Sequence, residues 1–306
     1  MTTVLMSAEE VRQAVSMPDA ISALREAFLG LGNDEFELPQ RTVLGGGSFL
    51  SMSVHHRPTR SAVVKSISAD FQRRPAIVGA LVWVSASGAN TLVADAAAVT
   101  ALRTGAVSGL ATDLLAAPDA HRLVLVGVGG QAADQLRAVR AVRPIDTVSV
   151  VATEVRNADA FCDRLGEELA GLSVQTSDDL EPALGDADVV CCATPATEPL
   201  FRLEALPARV HVNAIGSYRL NMRELPDSLL GAATVVVDQL EAALEESGEI
   251  NHAIEAGELD VNDLVELSHA LAHTPPLRDR TVFKSVGIAI QDWAIGQALA
   301  DGAFGA

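Results

Sequence analysis

Primary amines are scarce in this chain. Of 22 basic residues, 20 are arginines and only two are lysines, Lys65 and Lys284. Lys65 interrupts an apolar run, Ala62-Val63-Val64-Lys65-Ser66-Ile67. On a buried strand face a lysine is costly unless paired. There it could bind a carboxylate or an imine, or pass a proton once burial lowers its pKa. On the outer face of the same strand it would be an ordinary solvated cation.

A second chemistry is suggested by Leu123-Val124-Leu125-Val126-Gly127-Val128-Gly129-Gly130-Gln131-Ala132. It reads as a strand, a glycine-rich turn and the start of a helix. Gly127 permits a tight turn, Gly129 lets the backbone approach a pyrophosphate, and Ala132 is small enough for close helix–strand contact. The N–H groups around Gly130 and Gln131, at the helix N-terminus, would receive the phosphate oxygens. These residues point to a bound NAD(P)(H). The following strand, 147–151, should end in an acid that binds the ribose of NAD. It runs into Ala152-Thr153-Glu154-Val155-Arg156 instead. Glu154 could serve NAD, whereas Thr153 and Arg156 could receive the 2′-phosphate of NADP. NADP is favoured over NAD. The alternative is that Glu154 and Arg156 are the solvated start of a helix.

Other candidates carry less. His269 and His273 have the i,i+4 spacing of a shared helix face, but no third ligand accompanies them, so no metal is expected. No hydroxyl has the His/Asp company of a nucleophile. Cys162, Cys191 and Cys192 are too few for a disulfide framework, which suggests a reducing cytoplasm. The segment MTTVLMSAEE has neither a basic nor an apolar stretch, so no secretory signal is expected.

The net charge of −18 excludes further classes. No basic cluster exceeds Arg73-Arg74, so binding to nucleic acid is not expected. An anionic membrane surface would repel the chain. The longest uncharged run, 75–94, is broken by turn residues and is not a membrane span.

The elements that must position these residues alternate in type. Residues 7–32 have helical spacing. Short apolar runs at 42–44, 49–54, 62–67, 77–84 and 91–94 predict an antiparallel or mixed sheet. Residues 96–117 read as a helix of small residues. From 122 onward, strands at 123–126, 147–151, 189–192, 210–213 and 234–237 alternate with helices, which predicts a parallel sheet. Residues 286–300 read as an apolar helix. The fold class is therefore α/β: a Rossmann-type, doubly wound parallel sheet inserted in an α+β substrate-binding and dimerisation domain. The expected boundaries are 1–117 with 286–306 for the latter, and 118–285 for the former.

Several segments together resemble the ornithine cyclodeaminase/mu-crystallin family. They are Leu38-Pro39-Gln40-Arg41, Val64-Lys65-Ser66, 100–106 with Arg103 and Thr104, the turn 127–132, Asn213-Ala214-Ile215-Gly216-Ser217-Tyr218-Arg219, and Phe283-Lys284-Ser285-Val286-Gly287. They occur in the family's order and span nearly the whole chain. The resemblance implies NAD(P)(H) chemistry at a carbon bearing an amino or imino group beside a carboxylate. It implies that Arg41 and Arg103 grip that carboxylate, a task suited to the bidentate guanidinium, and that Lys65 completes the catalytic set. Met52 and Tyr218 fall at substrate positions. Thr104, Asn213, Gly216, Val286 and Gly287 fall near the cofactor. Lys284 reads more readily as structural. A homodimer is also implied.

Two departures separate this chain from the cyclodeaminases. Those members carry an Asp after the Asn-Ala-x-Gly motif, where this chain has Ser217-Tyr218, and an acid before the residue matching Met52, where it has Ser51. Loss of ammonia needs a base near the amine. Reduction of a cyclic ketimine such as Δ1-pyrroline-2-carboxylate does not. The expected function is NAD(P)H-dependent reduction of a small α-imino acid. An alanine-type amino-acid dehydrogenase, an ornithine cyclodeaminase and a non-catalytic crystallin-like binding protein are the alternatives.

Overall fold

The computed structural model describes residues 2–70 and 72–305. Two compact units emerge: Met1–Val107 with Ile288–Ala306, and Ser108–Gly287.

The first unit is built on a mixed seven-stranded sheet. Its strands are β1 (Thr2–Met6), β2 (Phe36–Glu37), β3 (Thr42–Leu44), β4 (Phe49–His56), β5 (Ser61–Ala69), β6 (Ile77–Val84) and β7 (Asn90–Asp95). The order is β1-β7-β6-β5-β4-β2, with β3 also paired to β4. All pairs are antiparallel except β1 with β7. Burial alternates along β4 and β5, as the two-residue period of a strand requires when one face is covered. Register places Met52 and Leu81 on either side of Lys65. These residues lie on the buried face, under the C-terminal helix Ala289–Phe304. That helix can lie close because a Cβ at Gly296 would already stand 3.1 Å from Val63 and 3.3 Å from Leu81.

The helical stretch expected at 7–32 is two helices, α1 (Ala8–Ala14) and α2 (Met17–Gly32). Two serines cause the break. Ser7 forms a capping box with Glu10, and Ser16 accepts from the Asp19 amide. A cap satisfies N–H groups that a helix start leaves unpaired, so each serine begins a helix of its own.

The second unit holds eight parallel strands: β8 (Arg122–Val126), β9 (Thr147–Val151), β10 (Ser173–Ser177), β11 (Val189–Cys192), β12 (Val210–Ala214), β13 (Thr234–Val237), β14 (Val265–Glu266) and β15 (Arg280–Lys284). Their order is β10-β9-β8-β11-β12-β15-β13-β14. The chain winds outward from β8 through β9 to β10, then returns to β11 and winds the other way. The sheet is therefore doubly wound, and its switch point lies between β8 and β11. Alternate residues of the central strands enter two separate cores: Val124, Val190 and Val212 one, Leu123, Leu125 and Val189 the other. Burial on both faces explains why these strands read as continuous apolar runs.

The two compact units divide inside helix α3 (Ala96–Leu115), between Val107 and Ser108, whereas the sequence places a domain boundary at 117/118. The second boundary falls at 287/288 rather than 285/286. The last turns of α3 are bound into the second unit. Thr112 accepts a 2.9 Å bond from Asn213, and Thr281 donates to the Leu115 carbonyl at 3.3 Å. Arg143 donates to the carbonyls of Thr112, Asp113, Ala116 and Ala117 at 2.8–3.0 Å. A helix C-terminus leaves four carbonyls unsatisfied, and this one guanidinium serves two of them, Thr112 and Asp113, with the two that follow the helix. Among the described residues no helix, α3 included, is long and apolar enough to cross a membrane. Replacing Arg143 with Met should take a buried donor from each of those carbonyls, of which Thr112 and Ala117 keep a backbone partner, and lower unfolding stability by about 3 kcal/mol, measurable by urea denaturation.

Candidate functional site

Lys65 is buried, and its ammonium is paired within the first unit. Lys65 Nζ donates to Asp292 Oδ1 at 2.7 Å and to Thr100 Oγ1 at 3.3 Å. Asp292 lies on the C-terminal helix and is fully buried. Arg103 Nε stands 3.6 Å from the same Asp292 oxygen, and Arg103 Nη1 donates to Gln291 Oε1 at 2.6 Å. Burial pushes the Lys65 pKa down to about 8. Asp292 opposes that fall, while the charges of Arg103 and Arg41 add to it. Arg41, Lys65 and Arg103 thus form one cationic cluster in which Asp292, from the C-terminal helix, is the counter-charge of Lys65. Met52 lines it as the cross-strand neighbour of Lys65, 6% exposed. Such a cluster suits a small carboxylate, because guanidinium and ammonium groups bind it through charge-assisted hydrogen bonds.

The glycine-rich turn in the second unit follows β8 at the switch point. Gly127 has φ +95°, and a Cβ there would lie 2.6 Å from the Ala193 carbonyl oxygen. Only glycine fits both demands. A Cβ at Gly129 or Gly130 would meet nothing within 4 Å, so this backbone is open to close approach. Helix α4 (Ala132–Val142) begins directly after it, with Gln131 as an N-cap whose side chain makes no capping bond. Ala132 is fully buried, as close packing on the strand requires. Helix-terminal amides beside an open glycine backbone fit a dinucleotide pyrophosphate. At the end of β9, Thr153, Glu154 and Arg156 are exposed, and Glu154 pairs with Arg156.

Other residues singled out by sequence face inward. Asn213 is fully buried: it donates to Thr112 and meets His211 Nε2 at 3.2 Å, inside the core of the second unit. His211 is held neutral, its pKa pushed down to about 4 by burial. The Gly287 amide donates to Asp238 at 2.8 Å, and Val286 is buried beside it. Thr104 is buried on α3 in the first unit. Gly216 packs on the Thr194 backbone, where a Cβ would lie 2.2 Å from the Thr194 oxygen. Tyr218 is half-buried, with the Arg219 guanidinium 5.1 Å from its ring centre.

Lys284 is structural. Its Nζ donates to the Ser217 hydroxyl at 2.6 Å and stands 3.3 Å from Glu249, with all three groups buried. Glu224 lies alongside and accepts from the amides of Thr194, Gly216 and Ser217. Burial pushes its carboxyl above the usual range. This network ties together the loops that follow β11 and β12. Cys191 and Cys192 are buried thiols, Cys191 pushed up to about 12, and neither is a nucleophile in that state. No group of His, Cys, Asp or Glu among the described residues could hold a metal.

Sequence reasoning missed Asp292. Gln291-Asp292 is a polar pair in an otherwise apolar helix, and a polar pair at a helix start normally signals solvent. Here both residues are buried and both hold cations.

Residues 1–305 match the ornithine cyclodeaminase/mu-crystallin family. A Δ1-pyrroline-2-carboxylate reductase of Bacillus cereus is 37% identical over 207 residues, covering 66% of this chain and 63% of that relative. The aligned stretch is therefore less than two thirds of the relative's length. Two solved structures share the fold over nearly their whole length. A Thermococcus litoralis Δ1-pyrroline-2-carboxylate reductase in complex with NADH and L-proline superimposes with a TM-score of 0.92 at 28% identity, covering 99% of this chain and 98% of that one. An archaeal alanine dehydrogenase dimer with bound NAD gives 0.89 at 29% identity, covering 100% and 97%.

The turn makes a direct prediction. Gly127→Ala combines a positive φ with a backbone clash, at a cost of about 1–3 kcal/mol. Dinucleotide affinity, measured by fluorescence titration, should fall at least about tenfold while the secondary structure remains.

Proposed function

We propose that this chain, which belongs to the ornithine cyclodeaminase/mu-crystallin family, is a nicotinamide-dependent reductase of small α-imino acids, with Δ1-pyrroline-2-carboxylate as the model substrate. The cluster of Arg41, Lys65 and Arg103 around the buried Asp292 carries this reading. Burial of Lys65 beside two guanidinium groups makes such a cluster costly to keep unless it receives an anion.

The residues divide the work. Gly127, Gly129, Gly130, Gln131 and Ala132 would hold the dinucleotide, which supplies a hydride when bound. Arg103 and Arg41 take the substrate carboxylate and so fix the position of the adjacent imine carbon. Lys65 Nζ holds a proton at the imine end of the substrate, and its ammonium favours electron flow toward nitrogen. Burial beneath the C-terminal helix excludes water from this proton. No carboxylate stands at Ser217-Tyr218 to activate an amine, and the nearby Glu224 and Glu249 are consumed by buried hydrogen bonds. That argues against cyclodeamination. The likeness to the alanine dehydrogenase supports a second reading, reductive amination of a small oxo acid, which ammonia dependence separates from the first.

Two finer features belong to the same proposal. NADP is favoured over NAD, because Arg156 is exposed beside Thr153 and can turn from Glu154 to a 2′-phosphate. The working form is a homodimer in the cytoplasm. The outer face of the first sheet carries a cross-strand row of Leu5, Val93, Val82 and Val64, with Leu5 71% and Val64 45% exposed. An apolar row on a sheet face fits a self-complementary contact. The three cysteines are free thiols, in keeping with a reducing compartment.

Oxidation of NADPH and NADH should be followed with Δ1-pyrroline-2-carboxylate and with pyruvate plus ammonia, and release of ammonia should be followed with ornithine and NAD, because cyclodeamination consumes no nicotinamide overall. Imine reduction without ammonia is expected, and clear ornithine turnover would overturn the reading. Lys65→Ala should lower turnover about 100-fold or more with dinucleotide affinity near that of the unaltered chain. The ammonium is the working form and exists below its pKa. Activity should therefore decline as pH rises through about 8.

A further inference from the structure

Asp292 is an unusual counter-charge. Its Oδ1 accepts from Lys65 Nζ at 2.7 Å and stands 3.6 Å from Arg103 Nε. Its Oδ2 is buried and has no hydrogen-bond partner among the described residues. An unsatisfied buried carboxylate oxygen costs stability. An apolar pair of similar volume would hold a helix on a sheet at least as well as a buried ion pair. The neighbours confirm that packing does not need the charge: Trp293 and Gly296 on the same helix pack on the buried face through apolar contacts and one indole bond to Ser61. Among the described residues, the charged groups that act on Lys65 besides Asp292 are cations: Arg103 from α3 and Arg41 from the segment before β3. Thr100 contributes only a hydroxyl, while Met52 and Leu81 are apolar.

We infer that Asp292 is a positioning residue that acts through Lys65 and Arg103, holding the ammonium and the guanidinium in place with their charges intact before an anionic substrate arrives. The inference rests on the reading of this cluster as the α-imino acid site. Without Asp292, burial and two neighbouring guanidinium groups would act on Lys65 unopposed, and the amine would lose its proton near neutral pH. The preceding residue reinforces the arrangement, since Gln291 holds Arg103 from the adjacent position on the helix. Oδ1 alone carries both cations. Replacement by Asn would keep the shape and one acceptor but remove the charge.

The two-lysine composition makes the test direct. Full-length protein labelled with [ε-13C]lysine gives two resonances, and Lys65→Met identifies which is Lys65. The unaltered chain, Asp292→Asn and Asp292→Glu are titrated by NMR. In parallel, the pH profile of kcat/KM for Δ1-pyrroline-2-carboxylate reduction is recorded. In Asp292→Asn the Lys65 midpoint should fall by about one pH unit or more. The alkaline limb of the activity profile should move down with it, and Asp292→Glu should restore both. Should the Asn variant fail to fold, Asp292→Ser carries the same titration. An unchanged Lys65 midpoint in the charge-removed variant overturns the inference, as does lowered activity with the limb in its original place, which marks a merely structural role. Absence of imine reduction by the unaltered chain would defeat the proposed function alone, because the titration still decides what Asp292 does.

Discussion

The charge state of the cationic cluster in the first unit depends on one contact, the buried ion pair of Lys65 and Asp292. Two charges taken out of water are tolerated only when they meet each other in good geometry. These two lie 227 residues apart in the chain. Their meeting requires the C-terminal helix to return to the face of β5, so both chain ends build a single unit. The parallel-sheet unit must then be an insertion between them. Arg103 joins the same carboxylate from the first half of α3, whose second half belongs to the inserted unit. One carboxylate thus sets the charge state of the cluster, while apolar packing of the C-terminal helix brings its segments together.

The inserted unit solves its polar problems separately. Its strands are buried on both faces, so function is left to the loops at their carboxyl ends. Glu224 and Glu249, with Lys284 and Ser217, lock two of those loops from beneath. Arg143 finishes the end of α3. The two lysines therefore have unlike uses in similar surroundings. Lys284 is enclosed by hydrogen-bonded acceptors and holds a loop. Lys65 stands beside two guanidinium groups and Asp292, and its pKa is pushed down to about 8, where the proposed function uses its proton.

Much of this was legible in the sequence because it is local. Gly127 to Ala132 lie within six residues, and a strand, a turn and a helix start can be read there directly. The apolar runs of β9, β11 and β13 are visible because both faces are buried. Lys65 stood out because a lone lysine interrupts an apolar run. What could not be read is what depends on distant partners. Asp292 looks like the polar start of a helix, and only the fold shows that it is buried against β5. Strand β10 is polar because it forms an edge of its sheet, and β1 is set by its pairing with β7, far along the chain. The division inside α3 was hidden because a helix of small, uniformly buried residues carries no face pattern to mark where one unit yields to the other. The bond from the Asn213 amide to Thr112, 101 residues away, is likewise invisible to a motif.

The central claim is that the cationic cluster recognises the carboxylate of an α-imino acid and that Lys65 acts at the imine beside it. The most direct test compares steady-state reduction of Δ1-pyrroline-2-carboxylate with that of Δ1-pyrroline, which keeps the cyclic imine and lacks the carboxylate. Loss of a bidentate, charge-assisted contact in a buried site should lower kcat/KM by about 100-fold or more. Equal kcat/KM for the two imines would contradict the account.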